Sequence, residues 1–187
     1  VLLDLNLAAG SGFDVLRALH PRLPQVDFYM LSNFDARPYR QMAERLGAKD
    51  YFDKSKDFAR VLDEFAAAGP YDVVVHNAAT GVVRRALETE DKHWDWTLNA
   101  NARALLSLAR VAAPSMPDGS SIVAISSLGA QRVLENYVLV GTSKAALESL
   151  VRYLAVELAP SIRVNAVSGG VVETAALEHF PNKEAML

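Results

Sequence analysis

Residues 125–144, ISSLGAQRVLENYVLVGTSK, connect the end of an apolar, β-branched run to the first turns of a long amphipathic segment. A buried strand followed by a helix is the repeating unit of a parallel sheet covered by helices, so this stretch sets the fold prediction. Tyr137 and Lys144 lie seven residues apart, about two helical turns, and are therefore expected on one helix face. Ser127 stands at the end of the preceding strand.

These three side chains could meet in one site. An ammonium group near a phenol favours the phenolate and lowers the pKa of the phenol, which makes tyrosine an effective proton donor at neutral pH. The alternative is a core tyrosine and an exposed lysine without chemistry, because charged side chains mostly lie on the surface.

The same alternation of short aliphatic runs and amphipathic segments recurs along the chain. Runs such as DVVVHNA and SIVAISS are typical of strands buried on both faces. The predicted strands are residues 1–5, 26–32, 49–53, 72–77, 121–126 and 162–167. The predicted helices are residues 12–20, 36–46, 57–68, 90–115, 136–158 and 173–179.

Right-handed crossovers between these units give the strand order 3-2-1-4-5-6. We therefore predict an α/β fold, with one doubly wound, Rossmann-like parallel sheet of about six strands and helices on both of its faces.

The composition excludes several classes of protein. With 187 residues, 51% of them hydrophobic, and a net charge of -3, the chain indicates one globular domain without a basic surface for nucleic acid or membranes. Cysteine is absent and the histidines are scattered, so we expect no disulfide, no metal site and a cytoplasmic location. No apolar run approaches a membrane span, and we see no targeting segment. The chain begins without methionine, which leads us to expect numbering that starts inside a longer product.

The segments LLDLNLAAGSGFDVLRAL, FYMLSNF and YFDKS in residues 1–69 resemble the C-terminal half of a response-regulator receiver domain, a flavodoxin-like fold. The resemblance implies a phosphoacceptor at Asp4, a hydroxyl partner at Ser32 and a charge partner at Lys54, although Ala8 replaces a usual proline. The acidic pair that helps to hold the divalent cation in that family is missing. The alternative for Asp4 is a solvated polar residue at a strand end.

Residues 71–187 resemble the C-terminal part of a short-chain dehydrogenase/reductase, and most of all its enoyl-acyl-carrier-protein reductase branch. The motif HNAAT is similar to the family's NNAG stretch and implies cofactor contacts at Asn77 and Ala78. In KHWDWTLNANARALL the family's active-site asparagine falls on Asn101. In AVSGGVVET, Gly169 matches the glycine of the family's usual PG pair and Thr174 matches a threonine that contacts the nicotinamide carboxamide, so the resemblance implies cofactor binding at both.

The 125–144 stretch carries the most specific part of this resemblance. The commoner family pattern has a tyrosine four residues before the lysine, but that position is Val140 here. Tyr137 instead precedes Lys144 by seven residues, the spacing associated with enoyl reductases, and Ser127 keeps its usual distance from the lysine.

The resemblance implies a hydride transfer from NADPH or NADH to the β-carbon of an enoyl thioester. Tyr137 would stabilise the enolate oxygen, and Lys144 would hold the cofactor ribose and lower the pKa of the tyrosine. Ser127 and Asn101 would support the oxyanion and a water network. The implied partners are therefore a dinucleotide and an acyl thioester.

Because the two resemblances come from different folds, we interpret the chain as a chimera or a recombined designed sequence, with a receiver-like segment 1–69 and a reductase-like segment 70–187 in one domain. The turn LNLAAGSGF replaces the usual glycine-rich dinucleotide loop, and only Gly10 and Gly12 could imitate it. Asp4, Asn6 and Asp14 place negative or polar groups where a pyrophosphate would bind.

This loop leads us to expect impaired activity or none, with NADPH, NADH or no cofactor bound. Two alternatives stay open, a competent short-chain reductase and a phosphoacceptor switch through Asp4. The acyl substrate, the choice of dinucleotide and a natural or engineered origin are also open.

The reductase resemblance implies a possible homodimer, because in that family the two long helices after strands four and five commonly pair between subunits. Residues 136–158 carry an apolar face at helical spacing, which could form the interface or pack on the sheet of its own chain. This face consists of Leu139, Ala146, Leu150 and Leu154.

Overall fold

The computed structural model describes residues 1–5, 11–32, 37–53 and 56–169. The chain divides into two compact units, Val1–Glu64 and Phe65–Leu187, which are described separately. Four sequence-based expectations, the helix 173–179 and the roles of Gly10, Lys54 and Thr174, lie outside the described residues. The interpretation of the chain as one domain with a seam between residues 69 and 70 stays a prediction.

The first unit is a three-stranded parallel sheet with amphipathic helices. Its strands are β1 (Leu2–Asp4), β2 (Tyr29–Ser32) and β3 (Asp50–Asp53), in the order β1-β2-β3. Its helices are α1 (Gly12–Leu19), α2 (Arg37–Arg45) and α3 (Phe58–Ala67), the last of which continues into the second unit. The buried core of this unit consists of Leu5, Leu16, Phe28, Met30, Ala43 and Tyr51.

Gly12 begins α1 because it has no side chain. A Cβ atom at this position would overlap the carbonyl oxygen of Asp4, so only glycine lets the helix begin this close to β1. Ser11 and Asp14 form a capping box, in which the amide of Ser11 donates to the Asp14 carboxylate at 2.9 Å. These bonds from Ser11 lower the pKa of the exposed Asp14 carboxyl.

The second unit contains the other three parallel strands, β4 (Val73–His76), β5 (Ser120–Ile125) and β6 (Ile162–Val167), in the order β4-β5-β6. The helices are α4 (Asp91–Leu98), α5 (Ala104–Ala112) and α6 (Val138–Glu157). A π-helical turn, Asn99–Arg103, joins α4 to α5. Single 3₁₀ turns cover Ala86–Glu88, Ala113–Ser115 and Leu128–Ala130.

The predicted α/β class with parallel strands is confirmed in both units, and within each unit the strands pair in the predicted order. The pairing of the first strand with the fourth stays a prediction. The element ends differ from those expected. The predicted helix 136–158 begins only at Val138, because Asn136 has a positive φ of 59°, a left-handed conformation that asparagine tolerates better than most residues.

The predicted interface on α6 packs mainly on its own unit. Leu154 belongs to the buried core, Leu150 packs against that core, and Leu139 is buried. The alternative of packing on the chain's own sheet is therefore the one that the structure supports. Within the described ranges, no helix combines the length and the apolar character that a membrane crossing requires.

Candidate functional site

Tyr137 lies at the N-cap of α6, where two glycines let a neighbouring turn approach it. A Cβ atom at Gly129 would lie 2.5 Å from two carbons of the Tyr137 ring, and one at Gly141 would lie 2.7 Å from the carbonyl oxygen of Gly129. Because both positions lack a side chain, the 3₁₀ turn Leu128–Ala130 packs directly against the tyrosine ring and the first turns of α6.

This packing brings Ser127 to the phenol. The Ser127 Oγ and the Tyr137 Oη lie 3.3 Å apart, and either oxygen could donate. The amide of Gly129 donates to the same serine oxygen at 3.3 Å. The Ser127 oxygen therefore already accepts a hydrogen bond from the backbone, and its own hydroxyl hydrogen can be donated to the phenol oxygen.

Lys144 is buried on α6, with 3% of its surface exposed. Its Nζ donates to the carbonyl oxygen of Ile125 at 2.7 Å, so the ammonium group reaches across to the end of β5, just before Ser127. Burial lowers the pKa of the Lys144 ammonium group. The structure thus ties the predicted lysine to the strand end that supplies the predicted serine.

Asn101 is fully buried in the π-helical turn, and its side-chain amide is occupied by hydrogen bonds. Its Nδ2 donates to the carbonyl oxygen of Thr80 at 2.8 Å and to the Ser143 Oγ at 2.8 Å. The amide of Thr80 donates to its Oδ1 at 2.7 Å. Asn101 therefore holds the loop after β4 against α6, and its expected part in a water network stays a prediction.

Three of the predicted cofactor residues lie at the carboxyl ends of parallel strands. Asn77 and Ala78 follow β4, Gly169 lies shortly after β6, and all three are exposed. In open α/β sheets ligands bind at this edge, because the loops and side chains after neighbouring parallel strands converge there. Gly12, by contrast, packs against Asp4 as the first residue of α1.

His76 is a residue whose position the sequence reasoning missed. It is 1% exposed, and neither ring nitrogen has a hydrogen bond of good geometry to a described residue, although the backbone of Ala100 lies close enough to favour the protonated ring slightly. Burial lowers the pKa of His76, and the charge of Lys144 adds to this effect. The available signal was the alternation along β4, which puts His76 at an inward position with Val74.

A cleft of about 550 Å³ opens beside Tyr137. It is lined by residues 84–86, 129–138, 141 and 142. The amide of Arg84 donates to the carbonyl oxygen of Asn136 at 2.8 Å, and Arg84 forms a parallel bridge with Tyr137, so backbone pairing closes one wall. The sequence reasoning did not single out the arginines of this cleft, because charged loop residues have no periodic signal.

In the first unit, Asp4 and Ser32 end the adjacent strands β1 and β2 at the same edge. Ser32 is buried, and so is Asp53, which lies within 3.6 Å of the ammonium group of Lys56. Among the described residues, no group of three or more His, Asp or Glu side chains is arranged to hold a metal ion.

A model of the family described as enoyl-(acyl carrier protein) reductase matches residues 39–187. The chain is 41% identical over 128 residues to a 1-cyclohexenylcarbonyl-CoA reductase of Streptomyces collinus, covering 67% of this chain and 46% of the relative. It is 37% identical over 138 residues to an enoyl-[acyl-carrier-protein] reductase [NADH] of Rickettsia felis, covering 71% of this chain and 53% of the relative. The chain thus spans about half the length of these curated relatives.

Solved structures are similar in fold over the whole chain. The enoyl-acyl-carrier-protein reductase of Anaplasma phagocytophilum in complex with NAD has a TM-score of 0.68 at 26% identity, covering 100% of this chain and 76% of the other. The Bacillus cereus enoyl-acyl carrier protein reductase with NADP+ and indole naphthyridinone has a TM-score of 0.70 at 24% identity, covering 100% of this chain and 78% of the other. The latter likeness concerns the fold alone.

Proposed function

Since this chain belongs to the enoyl-(acyl carrier protein) reductase family, whose model matches residues 39–187, we propose that it reduces the carbon–carbon double bond of an enoyl thioester with NADH or NADPH. One observation carries the proposal. The Ser127 Oγ lies 3.3 Å from the hydroxyl of Tyr137, which lines a cleft, and Ser127 follows the strand end that the buried Lys144 binds.

The described residues fit the nicotinamide end of a dinucleotide. Asn77 and Ala78 leave an exposed strand end with small side chains, and Lys144 supplies a positive charge nearby on α6. The Anaplasma structure is described with NAD, and the Rickettsia felis relative is named as an NADH reductase, which supports the same class of cofactor here. When bound, the cofactor supplies the hydride for the β-carbon of the substrate.

The chain's own groups then act on the carbonyl end. As the enolate develops, the Tyr137 hydroxyl donates a hydrogen bond to its oxygen, and Ser127 orients that hydroxyl. Lys144 keeps its buried Nζ at the end of β5, from where it would hold the cofactor ribose. The enolate then takes a proton from water at its α-carbon, which gives the saturated thioester.

We further propose that the activity is impaired. The turn LNLAAGSGF in residues 5–13 replaces the usual glycine-rich dinucleotide loop, and the spacing of Gly10 and Gly12 does not match that loop. Weak cofactor binding, with a dissociation constant for NADPH in the millimolar range, is the expected result.

The test is NADPH oxidation with a crotonyl thioester. Tyr137→Phe should lower kcat by about 100-fold or more, because a positioned proton donor contributes about 10²–10⁴-fold. Tyr153→Phe is the matched control, since Tyr153 is an exposed tyrosine on the same helix. Equal rates for the two variants, or no saturable NADPH or NADH binding at millimolar concentration, would contradict the proposal.

A second candidate function is a phosphoacceptor at Asp4, which would come with the receiver-like origin of residues 1–69. One observation favours it, because Asp4 and Ser32 end adjacent parallel strands. The family model argues against a separate origin of residues 1–69, because it matches the chain from residue 39 onward. Incubation with acetyl phosphate and magnesium should then add one phosphoryl mass that Asp4→Asn abolishes. An unchanged mass would remove this candidate.

A homodimer is a further part of the proposal. With the predicted face packed on its own unit, the exposed apolar side chains Val138, Tyr153 and Val156 are the ones that α6 offers to a partner. Sedimentation velocity of Tyr153→Glu beside the unaltered chain tests it, since a dimer through this face should dissociate.

A further inference from the structure

Three arginines surround the cleft that contains Tyr137. Arg84 and Arg85 lie between β4 and the 3₁₀ turn Ala86–Glu88, and Arg132 follows the 3₁₀ turn Leu128–Ala130. All three are exposed and line the same cleft of about 550 Å³. A concave site of this volume suits a small molecule, since ligand pockets typically measure about 300–1,000 Å³.

None of these three guanidinium groups forms an ion pair or a side-chain hydrogen bond with a residue that the structure describes. The nearest acidic groups only partly offset them. Glu135 lines the cleft, and Glu88 lines a neighbouring hollow that also contains Arg84 and Arg85. Glu90, whose low pKa is due mainly to Lys92, also senses Arg84. The cleft therefore has surplus positive charge in a chain whose net charge is -3.

Arg84 and the apolar side chains of the cleft have defined positions relative to Tyr137. The backbone bridge between Arg84 and Tyr137 and the bond from Arg84 to Asn136 hold the backbone of Arg84 beside that of Tyr137. Apolar side chains line the same cleft, and Val133 is fully exposed there while Val138 is 39% exposed. A ligand in this cleft meets a proton donor, an apolar wall and unpaired guanidinium groups.

Resting on the proposed function, we propose that Arg84, Arg85 and Arg132 bind the phosphate groups of a coenzyme A thioester whose acyl carbonyl lies at Tyr137. Arginine matches phosphate oxygens through paired N–H donors, and several guanidinium groups in one concave site fit a compact polyphosphate. An acidic carrier protein would instead require a broad basic surface, which the overall acidic charge does not favour.

The experiment compares two thioesters with the same acyl group, crotonyl-CoA and crotonyl-N-acetylcysteamine, which has no phosphate. Each of Arg84→Gln, Arg85→Gln and Arg132→Gln should lower kcat/KM for crotonyl-CoA about threefold, and the triple variant about 30-fold, as expected for exposed charge pairs. The loss should lie in KM and should shrink at high salt, because ions screen the pairs. Crotonyl-N-acetylcysteamine should lose less than threefold.

The matched control is the double variant Arg110→Gln with Arg152→Gln, which replaces two exposed arginines of the same unit outside the cleft. It should leave kcat/KM unchanged for both thioesters. Equal losses on both thioesters, a raised KM for NADPH instead, or a larger loss on a carrier-protein thioester than on crotonyl-CoA would overturn the inference.

Failure of the proposed function is distinguishable from failure of this inference. If the unaltered chain oxidises NADPH with neither thioester, the reductase proposal fails. Calorimetric titration with coenzyme A alone then still tests whether the three arginines form a phosphate-binding site. We expect saturable binding that the triple variant weakens about 30-fold, and identical titrations of both proteins would refute the phosphate site.

Discussion

Asn101 gives the most direct test of how the site is built, because its substitution by alanine removes three hydrogen bonds at once, one of them buried and two part-buried. They join the amide of Asn101 to the backbone N–H of Thr80 at 2.7 Å, to the backbone C=O of Thr80 at 2.8 Å and to the Ser143 Oγ at 2.8 Å. Asn101 is 0% exposed, so no bulk water replaces these partners without rearrangement.

Each such bond contributes about 0.5–1.5 kcal/mol net, and a buried group left unpaired costs about 1–3 kcal/mol. Asn101→Ala should therefore lower the free energy of unfolding by about 3 kcal/mol, which is a large share of the stability of a domain. Equilibrium urea denaturation followed by circular dichroism measures the change, and the m-value shows whether unfolding stays two-state.

Asn99→Ala is the matched control, since Asn99 belongs to the same π-helical turn, is exposed, and accepts only a long 3.5 Å contact from Arg103. It should change stability by less than about 0.5 kcal/mol. A loss below about 1 kcal/mol for Asn101→Ala, or equal losses for the two variants, would refute the idea that this amide holds the Thr80 loop on α6.

Two further predictions concern the neighbours of the site. A Cβ at Gly129 would lie 2.5 Å from the Tyr137 ring, so Gly129→Ala should displace the phenol from Ser127 and lower kcat about tenfold or more in the NADPH oxidation assay. Gly119→Ala is the control, because no described atom lies within 4 Å of its added Cβ. It should cost stability through its φ of 89° and leave kcat unchanged. Because the pKa of folded His76 is lowered below 6.5, the unfolded chain binds more protons below that pH, and stability should fall as pH falls from about 6.5 through the folded pKa. His76→Asn should remove this part of the dependence in urea denaturation at pH 5–8, and a difference from the unaltered chain that does not vary with pH would contradict the assignment.

Much of the architecture was predictable because it follows from local patterns. The parallel strands β5 and β6 lie where the β-branched runs SIVAISS and IRVNAV predict them, and Tyr137 and Lys144 lie at the start of one helix as their spacing requires. The family resemblance of residues 71–187 lies within the range that the family model matches. The receiver-like interpretation of residues 1–69 has no such support and stays a prediction.

The parts that were missed depend on distant contacts. The sequence alone did not distinguish a continuous helix 90–115 from α4, a π-helical turn and α5, because the same residues have similar helix propensity in both arrangements. The sequence around His76 indicates its burial, with 1% of its surface exposed, only through the alternation along the strand. The clustering of Arg84 and Arg132 requires two loops to meet.

By itself the sequence determined the succession of strands and helices and the spacing of Ser127, Tyr137 and Lys144, because periodicity and local geometry act over a few residues. Only the tertiary structure decided what these residues touch. The bond from Lys144 to Ile125 spans 19 positions and that from Asn101 to Ser143 spans 42, so both exist only once α5 and α6 pack on the sheet. Packing buries these polar groups, and a buried polar group requires a partner, which is why the site is a product of the fold and of the motif together.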